Sequence, residues 1–278
     1  MGTEIIDMHE NKNIGFIGGG MVAEAIIRGL ILHGHDASKI FVSDPSEDRI
    51  NILSILNKKL NVHENNQEVS DQSDVLIICV KPQVFKEAAQ SFTSESNEKM
   101  IISVAAGIEI DSIVSLFGEG SKVCRVMPNT PCLVGRGISA LIQSNLTESE
   151  IVLATYIFNS VGKTIWVQNE EWMHAITAVS GSGPAYFFHM MDLLKKAAMK
   201  SGIPEDIAET LSVQTAIGSS QLALNSADDL VTLKKKVMSP GGTTEAAFKS
   251  LDKNDLDQVW DEAIEAAKVR SFELGQNK

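Results

Sequence analysis

Apolar and polar positions follow two regimes along this chain, and the change falls near Asn169. Before it, short apolar runs alternate with amphipathic stretches. The runs are Asn13-Ile14-Gly15-Phe16-Ile17, Lys39-Ile40-Phe41-Val42-Ser43, Asp74-Val75-Leu76-Ile77-Ile78-Cys79-Val80, Met100 to Val104, Lys122 to Met127, Ile138 to Gln143 and Thr164 to Val167, with Leu60 to His63 as a shorter one. The third stays apolar without alternation until Lys81-Pro82 stops it, the pattern of a strand covered on both faces of a parallel sheet. Between the runs, Ile26, Ile27 and Leu30 recur at helical spacing, and further helical stretches fall near Glu47 to Leu56, Gln83 to Ser91, Ile110 to Phe117 and Glu148 to Ser160. Strands alternating with helices through short connections predict an α/β fold built on a doubly wound sheet with right-handed crossovers.

After Asn169 no further strand is predicted and the pattern is helical. Glu170 to Val179 forms one helix, Ser180-Gly181-Ser182-Gly183-Pro184 interrupts it, and Ala185 to Lys200 follows, strongly apolar through Tyr186, Phe187, Phe188, Met190, Met191, Leu193 and Leu194. Gly202-Ile203-Pro204 breaks the pattern again, then come Pro204 to Leu224, Asp228 to Met238 and two more helices to Leu274. Helices apolar on more than one face need a partner on each. That partner is either a second copy of the chain, giving a homodimer, or the rest of a self-contained helical core. The expected organisation is a polar tail over 1–12, an α/β domain over 13–168 and an all-α domain over 169–278.

The first strand runs into Gly18-Gly19-Gly20-Met21-Val22-Ala23 and then into a helix. Strand, Gly-x-Gly-x-x-Ala, helix is the signature of a Rossmann-type dinucleotide site: the first glycine makes the turn, the second lets a pyrophosphate approach, and the third small residue lets helix pack on strand. Asp44, after the second strand, either meets an adenosine ribose or caps the helix that follows it. Other strands end in Val80-Lys81-Pro82, Ala105-Ala106-Gly107 and Pro128-Asn129-Thr130-Pro131, where small residues and prolines recur at the carboxyl edge of the sheet, the side on which ligands bind in such folds.

A second Gly-rich turn, Ser239-Pro240-Gly241-Gly242-Thr243-Thr244, opens a helix far from the first. It is either a plain helix start, with Gly242 as N-cap and Glu245 three residues on, or a seat for a carboxylate or phosphate made from helix-terminal amides. Charge bears on the choice. The formal net charge is −12 over 278 residues, so an anionic ligand must be held by local donors. Nucleic acid is excluded as a partner because the only tight basic run is Lys234-Lys235-Lys236. No apolar run reaches the roughly 18 residues that span a bilayer, and Met1 to Lys12 has neither a basic start nor an apolar core, so the chain is expected to be cytoplasmic and off the membrane. Three cysteines, Cys79, Cys124 and Cys132, have no Cys-x-x-Cys spacing, and the histidines have no ligand spacing, so no disulfide or metal is expected. His189, in an apolar helix, is expected to be packed and hydrogen-bonded. Ser180 and Ser182 lie between helices and form no nucleophile elbow.

A nicotinamide site beside a carboxylate seat suits a reductase of a small carboxylated molecule. No general acid is evident, which favours a protonated cyclic imine over a carbonyl, since it needs chiefly a positioned hydride.

Six stretches, in their order and spacing, carry a resemblance. Ile14-Gly15-Phe16-Ile17-Gly18-Gly19-Gly20, Val80-Lys81-Pro82, Val104-Ala105-Ala106-Gly107, Arg125-Val126-Met127-Pro128-Asn129-Thr130-Pro131, Ser180-Gly181-Ser182-Gly183-Pro184-Ala185-Tyr186 and Ser239-Pro240-Gly241-Gly242-Thr243-Thr244 closely resemble the pyrroline-5-carboxylate reductase family. The similarity spans about Asn13 to Leu274. It implies reduction of 1-pyrroline-5-carboxylate to L-proline by NADPH or NADH, the last step of proline biosynthesis. By position it places Ile17, Gly18, Gly19, Gly20, Met21 and Val22 around the pyrophosphate, Ser43 and Asp44 at the adenosine end and Asn66 near its ribose. Cys79, Val80, Lys81, Pro82, Ala105, Ala106 and Gly107 lie along the cofactor, and Lys236 falls near the nicotinamide. Glu170, Ser239, Gly242, Thr243 and Thr244 go to the substrate, with the turn's amides on its carboxylate and the Thr244 hydroxyl on the ring nitrogen as the catalytic contact. The resemblance also implies a homodimer through the C-terminal helices, often assembled as a ring of five dimers.

Departures from the family pattern carry expectations of their own. Asp44 stands where Ser or Asn is common, and a carboxylate there leans toward NADH, with Arg49 as a possible offset. Lys236 replaces a frequent Asn. A β-hydroxyacid dehydrogenase would need a lysine shortly after the Gly-rich break, and Gly183-Pro184-Ala185-Tyr186-Phe187-Phe188-His189 has none. A catalytically idle nucleotide sensor is the other reading, and turnover would eliminate it.

Overall fold

The computed structural model describes residues 12–92 and 99–276. Of the expected N-terminal tail only Lys12 falls within the described residues. Packing divides the described residues into two compact units, one made of those up to Ser182 with those from Ala267 onward, the other of Gly183–Ala266.

The first unit is built on one eight-stranded sheet of order β3-β2-β1-β4-β5-β6-β7-β8. Strands β1 (Ile14–Ile17), β2 (Ile40–Ser43), β3 (Asn61–His63), β4 (Val75–Ile78), β5 (Met100–Ser103) and β6 (Lys122–Met127) are mutually parallel. Strand β7 (Gly137–Ser144) runs antiparallel to β6, and β8 (Gly162–Trp166) runs parallel to β7. The antiparallel step departs from the expected uniform crossovers. Only nine residues, 128–136, join β6 to β7, too few for a crossover helix, so the chain turns back on itself through a short 3-10 segment, Thr130–Val134.

Helices α1 (Met21–Leu32), α2 (Glu47–Leu56), α3 (Asn66–Gln72), α4 (Phe85–Gln90), α5 (Ile110–Phe117) and α6 (Glu148–Asn159) cover both faces of the sheet. Alternation along the strands sorts the core into two layers. Ile14, Phe16, Val75 and Ile77 pack with Ile26, Ile27 and Leu30 of α1 and with Ile157 and Phe158 of α6. Ile17, Leu76 and Ile78 face the other way, toward Val69 of α3, Phe85 of α4 and Ile113 of α5. This is why Val75-Leu76-Ile77-Ile78 is apolar at every position, and all four are fully buried. A capping box between Thr147 and Glu150 sets the start of α6. From β1 the chain crosses to β2 on one side, and β4 pairs on the other, so the order reverses at the carboxyl end of β1 and opens a crevice there.

After β8 the chain forms α7 (Trp172–Ile176) and a π-helical turn, Thr177–Gly181. The break expected at Ser180 to Pro184 is therefore a widened helical turn. Ser182 keeps helical dihedrals, and Pro184 falls in the first turn of α8 (Gly183–Lys200), where its missing N–H costs nothing. The second unit continues with α9 (Glu205–Asn225), α10 (Leu230–Lys236), α11 (Thr243–Lys253) and the start of α12 (Leu256–Gln276). Within it, Tyr186 of α8 meets Trp260 of α12 edge-on, and Lys195 bridges Glu205 and Glu209. Phe187, Phe188, Leu193, Leu194, Ile217, Leu222 and Leu224 are exposed in the single chain, apolar faces of the kind that a second copy covers. His189, expected to be packed, is exposed on α8 in the single chain. Among the described residues no helix is long and apolar enough to cross a membrane.

Replacing Ile77 by Ala removes a fully buried side chain from the layer packed against α1 and α6 and is expected to lower unfolding free energy by about 2–5 kcal/mol in urea titration; a loss below about 1 kcal/mol would contradict this packing.

Candidate active site

The Gly-rich loop at the end of β1 is tied down from one side and open on the other. Gly18 donates its N–H to the Ser43 carbonyl at 2.8 Å, and its φ of +94° suits glycine alone. A Cβ at Gly18 would lie 2.9 Å from Val80 Cγ1 and 3.0 Å from the Cys79 carbonyl oxygen. Gly19 donates to Asp44 Oδ2 at 2.8 Å, and a Cβ on it would meet Leu53 at 2.5 Å. Gly20 differs: nothing lies within 4 Å of a Cβ built there. Its carbonyl accepts from Glu24 N–H as the N-cap of α1, and among the described residues the amides of Gly20, Met21 and Val22 have no partner in the chain. Three unpaired amides at a helix start, beside open space, fit a diphosphate.

Around this loop the predicted adenosine-end residues form a hydrogen-bonded frame. Asp44 is not the helix cap offered as one alternative, since Ser46 is the N-cap of α2; its Oδ1 accepts from Ser46 N–H at 2.9 Å, shaping the turn into α2, while Oδ2 accepts from Gly19 N–H and holds the Gly-rich loop. Ser43 is fully buried, and its hydroxyl donates to Asn66 Oδ1 at 2.6 Å. Asn66 Nδ2 in turn donates to Ser91 Oγ at 2.6 Å. Arg49 donates from Nε to the Gly19 carbonyl and from Nη2 to Glu24 Oε2, both at 2.7 Å. These contacts, the Arg49 hydrogen bond foremost, hold the Glu24 carboxyl below its ordinary range.

Further along the crevice, Cys79 N–H continues the ladder to the Ile17 carbonyl at 2.8 Å. Burial pushes the Cys79 and Cys124 thiols well above the ordinary range, so neither is a nucleophile. Lys81 is exposed, while Pro82 and Val80 are partly covered. Ala105 is buried and Ala106 partly so. Gly107, at φ +77°, packs its backbone against the end of α12, where a Cβ would fall 3.0 Å from the Gly275 amide. A Cβ on Gly275 would lie 2.5 Å from the Gly107 carbonyl, so both positions exclude side chains.

Glu170 lies at the head of a charged cluster of the first unit. Its Oε1 accepts from Arg125 Nη1 at 2.7 Å and from Ile110 N–H at 2.8 Å. Arg125, on β6, is only 3 % exposed at its side chain, and Glu170 is 30 % exposed. Next to them a cavity of about 560 Å³ is lined by Glu109, Glu170, Glu171, His174, Lys268 and Phe272, with Val269. His174 Nδ1 lies 3.1 Å from Ser271 Oγ and Nε2 lies 3.6 Å from Glu109 Oε1. Burial, helped by the Arg125 charge, lowers the His174 pKa against the pull of Glu109, which favours the neutral ring. In the sequence Arg125 stands out only as part of a motif. The signal that could have found its role is a lone arginine inside an otherwise apolar strand, which demands a buried carboxylate.

In the second unit, Gly242 is the N-cap of α11. Gly241 N–H donates to the Glu245 carboxylate, and Gly242 N–H donates to the Ser239 carbonyl at 2.9 Å. Lys249 and the Gly241 amide keep the Glu245 carboxyl below its usual range. Thr243 and Thr244 have neither amide nor hydroxyl partners among the described residues. The turn therefore secures itself through its two glycines and leaves the next amides open. Lys236 donates to Asp228, and Lys234 stands 4.9 Å above the Phe248 ring. Among the described residues no group of His, Cys, Asp and Glu could hold a metal ion.

Comparison with known proteins adds an independent finding. Residues 170–274 match the family model described as pyrroline-5-carboxylate reductase dimerisation, and residues 13–107 match the one described as NADP oxidoreductase, coenzyme F420-dependent. The chain is similar to the pyrroline-5-carboxylate reductase of Haemophilus influenzae, with 38 % identity over 268 residues, 95 % of this chain and 98 % of that one. Among solved structures, a pyrroline-5-carboxylate reductase from Coxiella burnetii aligns with TM-score 0.87 and 36 % identity, covering 95 % of this chain and 98 % of that one. A Plasmodium falciparum pyrroline carboxylate reductase with NADP bound aligns with TM-score 0.86 and 30 % identity, covering 96 % and 99 %.

The Arg125 and Glu170 pair generates an asymmetric prediction. Glu170→Ala strands a guanidinium with almost no access to water and is expected to cost about 3–5 kcal/mol. Arg125→Met strands a carboxylate that reaches solvent, so the loss should be smaller, about 2 kcal/mol. Urea denaturation of both variants checks the order, and equal or reversed losses would contradict the buried pairing.

Proposed function

The chain belongs to the pyrroline-5-carboxylate reductase family, and from that membership together with the site we infer that it reduces 1-pyrroline-5-carboxylate to L-proline. NADPH or NADH supplies the hydride when bound. The observation that carries this reading on the structural side is the pair of Gly-rich helix starts, each with its glycines anchored and its next amides unpaired.

The roles follow from what each residue offers. The amides of Gly20, Met21 and Val22 hold the pyrophosphate, on a loop fixed by Ser43 and Asp44. The backbone from Cys79 to Pro82 and from Ala105 to Gly107 lines the cofactor, with Asn66 at the adenosine ribose and Lys236 toward the nicotinamide. Thr243 and Thr244 amides, with the field of the α11 start, hold the substrate carboxylate against the protein's overall negative charge. Ser239 and Gly242 shape that turn. Glu170, oriented by Arg125 and the Ile110 amide, is assigned to the substrate as well. The ring nitrogen reaches the site already protonated, so carbon accepts the hydride as the C=N bond becomes C–N and no acid need deliver a proton in that step. Thr244 Oγ1 accepts a hydrogen bond from the ring N–H and fixes which carbon faces the hydride.

Residues 13–168 act in this account as the dinucleotide-binding domain and 169–278 as the substrate and dimerisation domain. The C-terminal region mediates oligomerisation, consistent with the matched dimerisation model. We take the dimers to assemble further into a decamer. The three cysteines are free, which accords with the reducing cytoplasm to which we assign the enzyme.

Loss of reduced-nicotinamide absorbance with racemic pyrroline-5-carboxylate tests the reaction. Wild type is expected to turn over, and Thr244→Ala to lose roughly 10²-fold in kcat/KM through positioning alone. Absence of turnover with either cofactor would overturn the assignment.

A further inference from the structure

The adenosine end of the crevice carries more information than the family assignment, on which the following rests for its cofactor. Between β2 and the first turn of α2 stand Asp44, Glu47 and Asp48, and the only cation among residues 44–49 is Arg49. At the end of β2 a fixed carboxylate repels a 2′-phosphate unless a free cation offsets it, whereas a 2′-hydroxyl is served by an acceptor.

Arg49 is not free to meet a phosphate. Its Nε donates to the Gly19 carbonyl and its Nη2 to Glu24 Oε2, each at 2.7 Å, so the guanidinium serves as a brace between the loop and α1. Asp44 is fixed just as firmly, with Gly19 N–H on Oδ2 and Ser46 N–H on Oδ1. Two amide donors hold the carboxylate in place and prevent it from swinging away to admit a second anion. Each carboxylate oxygen retains a lone pair that can accept from a ribose hydroxyl.

We propose that this chain selects NADH over NADPH, with Asp44 as the specificity-determining residue and Arg49 as a brace of the Gly-rich loop. Repulsion between the fixed carboxylate and a dianionic phosphate is expected to separate the two affinities by about tenfold or more.

Titrating NADH and NADPH into the full-length protein without substrate, followed by nicotinamide fluorescence or calorimetry, tests this apart from turnover. Wild type should bind NADH about tenfold tighter or better. Asp44→Ser should tighten NADPH and weaken NADH, because it removes the charge and also an anchor of Gly19. Asp44→Asn, which keeps an acceptor oxygen and guards against a misfolded first variant, should narrow the ratio in the same direction. Arg49→Gln should weaken both dinucleotides alike. The inference is overturned if wild type binds NADPH as tightly as NADH, if neither Asp44 variant moves the ratio, or if Arg49→Gln selectively weakens NADPH. Selective NADH binding without turnover of pyrroline-5-carboxylate would uphold the inference and overturn the assigned reaction; failure to bind either dinucleotide would overturn both.

Discussion

Two backbone amides, those of Gly18 and Gly19, are held by the carboxyl end of β2, one by the Ser43 carbonyl and the other by the Asp44 carboxylate. Everything proposed for the cofactor depends on these bonds. They commit the first half of the loop to the protein and leave the amides of Gly20, Met21 and Val22 for a ligand. The support continues underneath, where the Ser43 hydroxyl donates a hydrogen bond to Asn66 and Asn66 donates to Ser91, so strand ends and helix starts form one rigid frame. Polar groups buried in such a chain are costly unless all are satisfied, and satisfaction is what makes the frame rigid.

A net charge of −12 would be expected to repel anionic ligands, yet both proposed ligand groups are anionic. The chain answers with backbone donors, whose partial charges cost no counter-ion. At the second Gly-rich turn the same device recurs with its own carboxylate: Glu245 takes the Gly241 amide, and Ser239 takes that of Gly242. Two of the three lysines that stand out in the sequence have partners within the chain, Lys236 with Asp228 and Lys234 with the Phe248 ring. Cation count thus says little about anion binding in this molecule.

Much of the fold could be read from the sequence because the core has two layers and parallel strands have no polar face. The run Val75-Leu76-Ile77-Ile78 can only be a central strand, and Lys122–Met127 and Ile110–Phe117 appear with the bounds expected. The antiparallel β7 was not legible, since apolar periodicity is the same in either direction, although the nine-residue link before it carried the clue. The π-turn Thr177–Gly181 looked like a break because glycine, serine and proline act as breakers only where a helix needs their missing groups. In the site, local motifs were legible and partnerships across the chain were not. Arg125 and Glu170 lie 45 positions apart, Gly107 meets Gly275 near the far end of the chain, and Arg49, an offset to Asp44 in the sequence, is hydrogen-bonded to Gly19 and Glu24.

The most direct test of the central claim is a crystal structure of the chain with reduced dinucleotide and a cyclic carboxylate analogue of the product. The account predicts the pyrophosphate on the amides of Gly20, Met21 and Val22, with the Gly18 to Ser43 and Gly19 to Asp44 bonds intact, and the carboxylate on the amides of Thr243 and Thr244. A pyrophosphate that displaces Asp44 from Gly19, or a carboxylate held by lysine side chains instead of that turn, would contradict it.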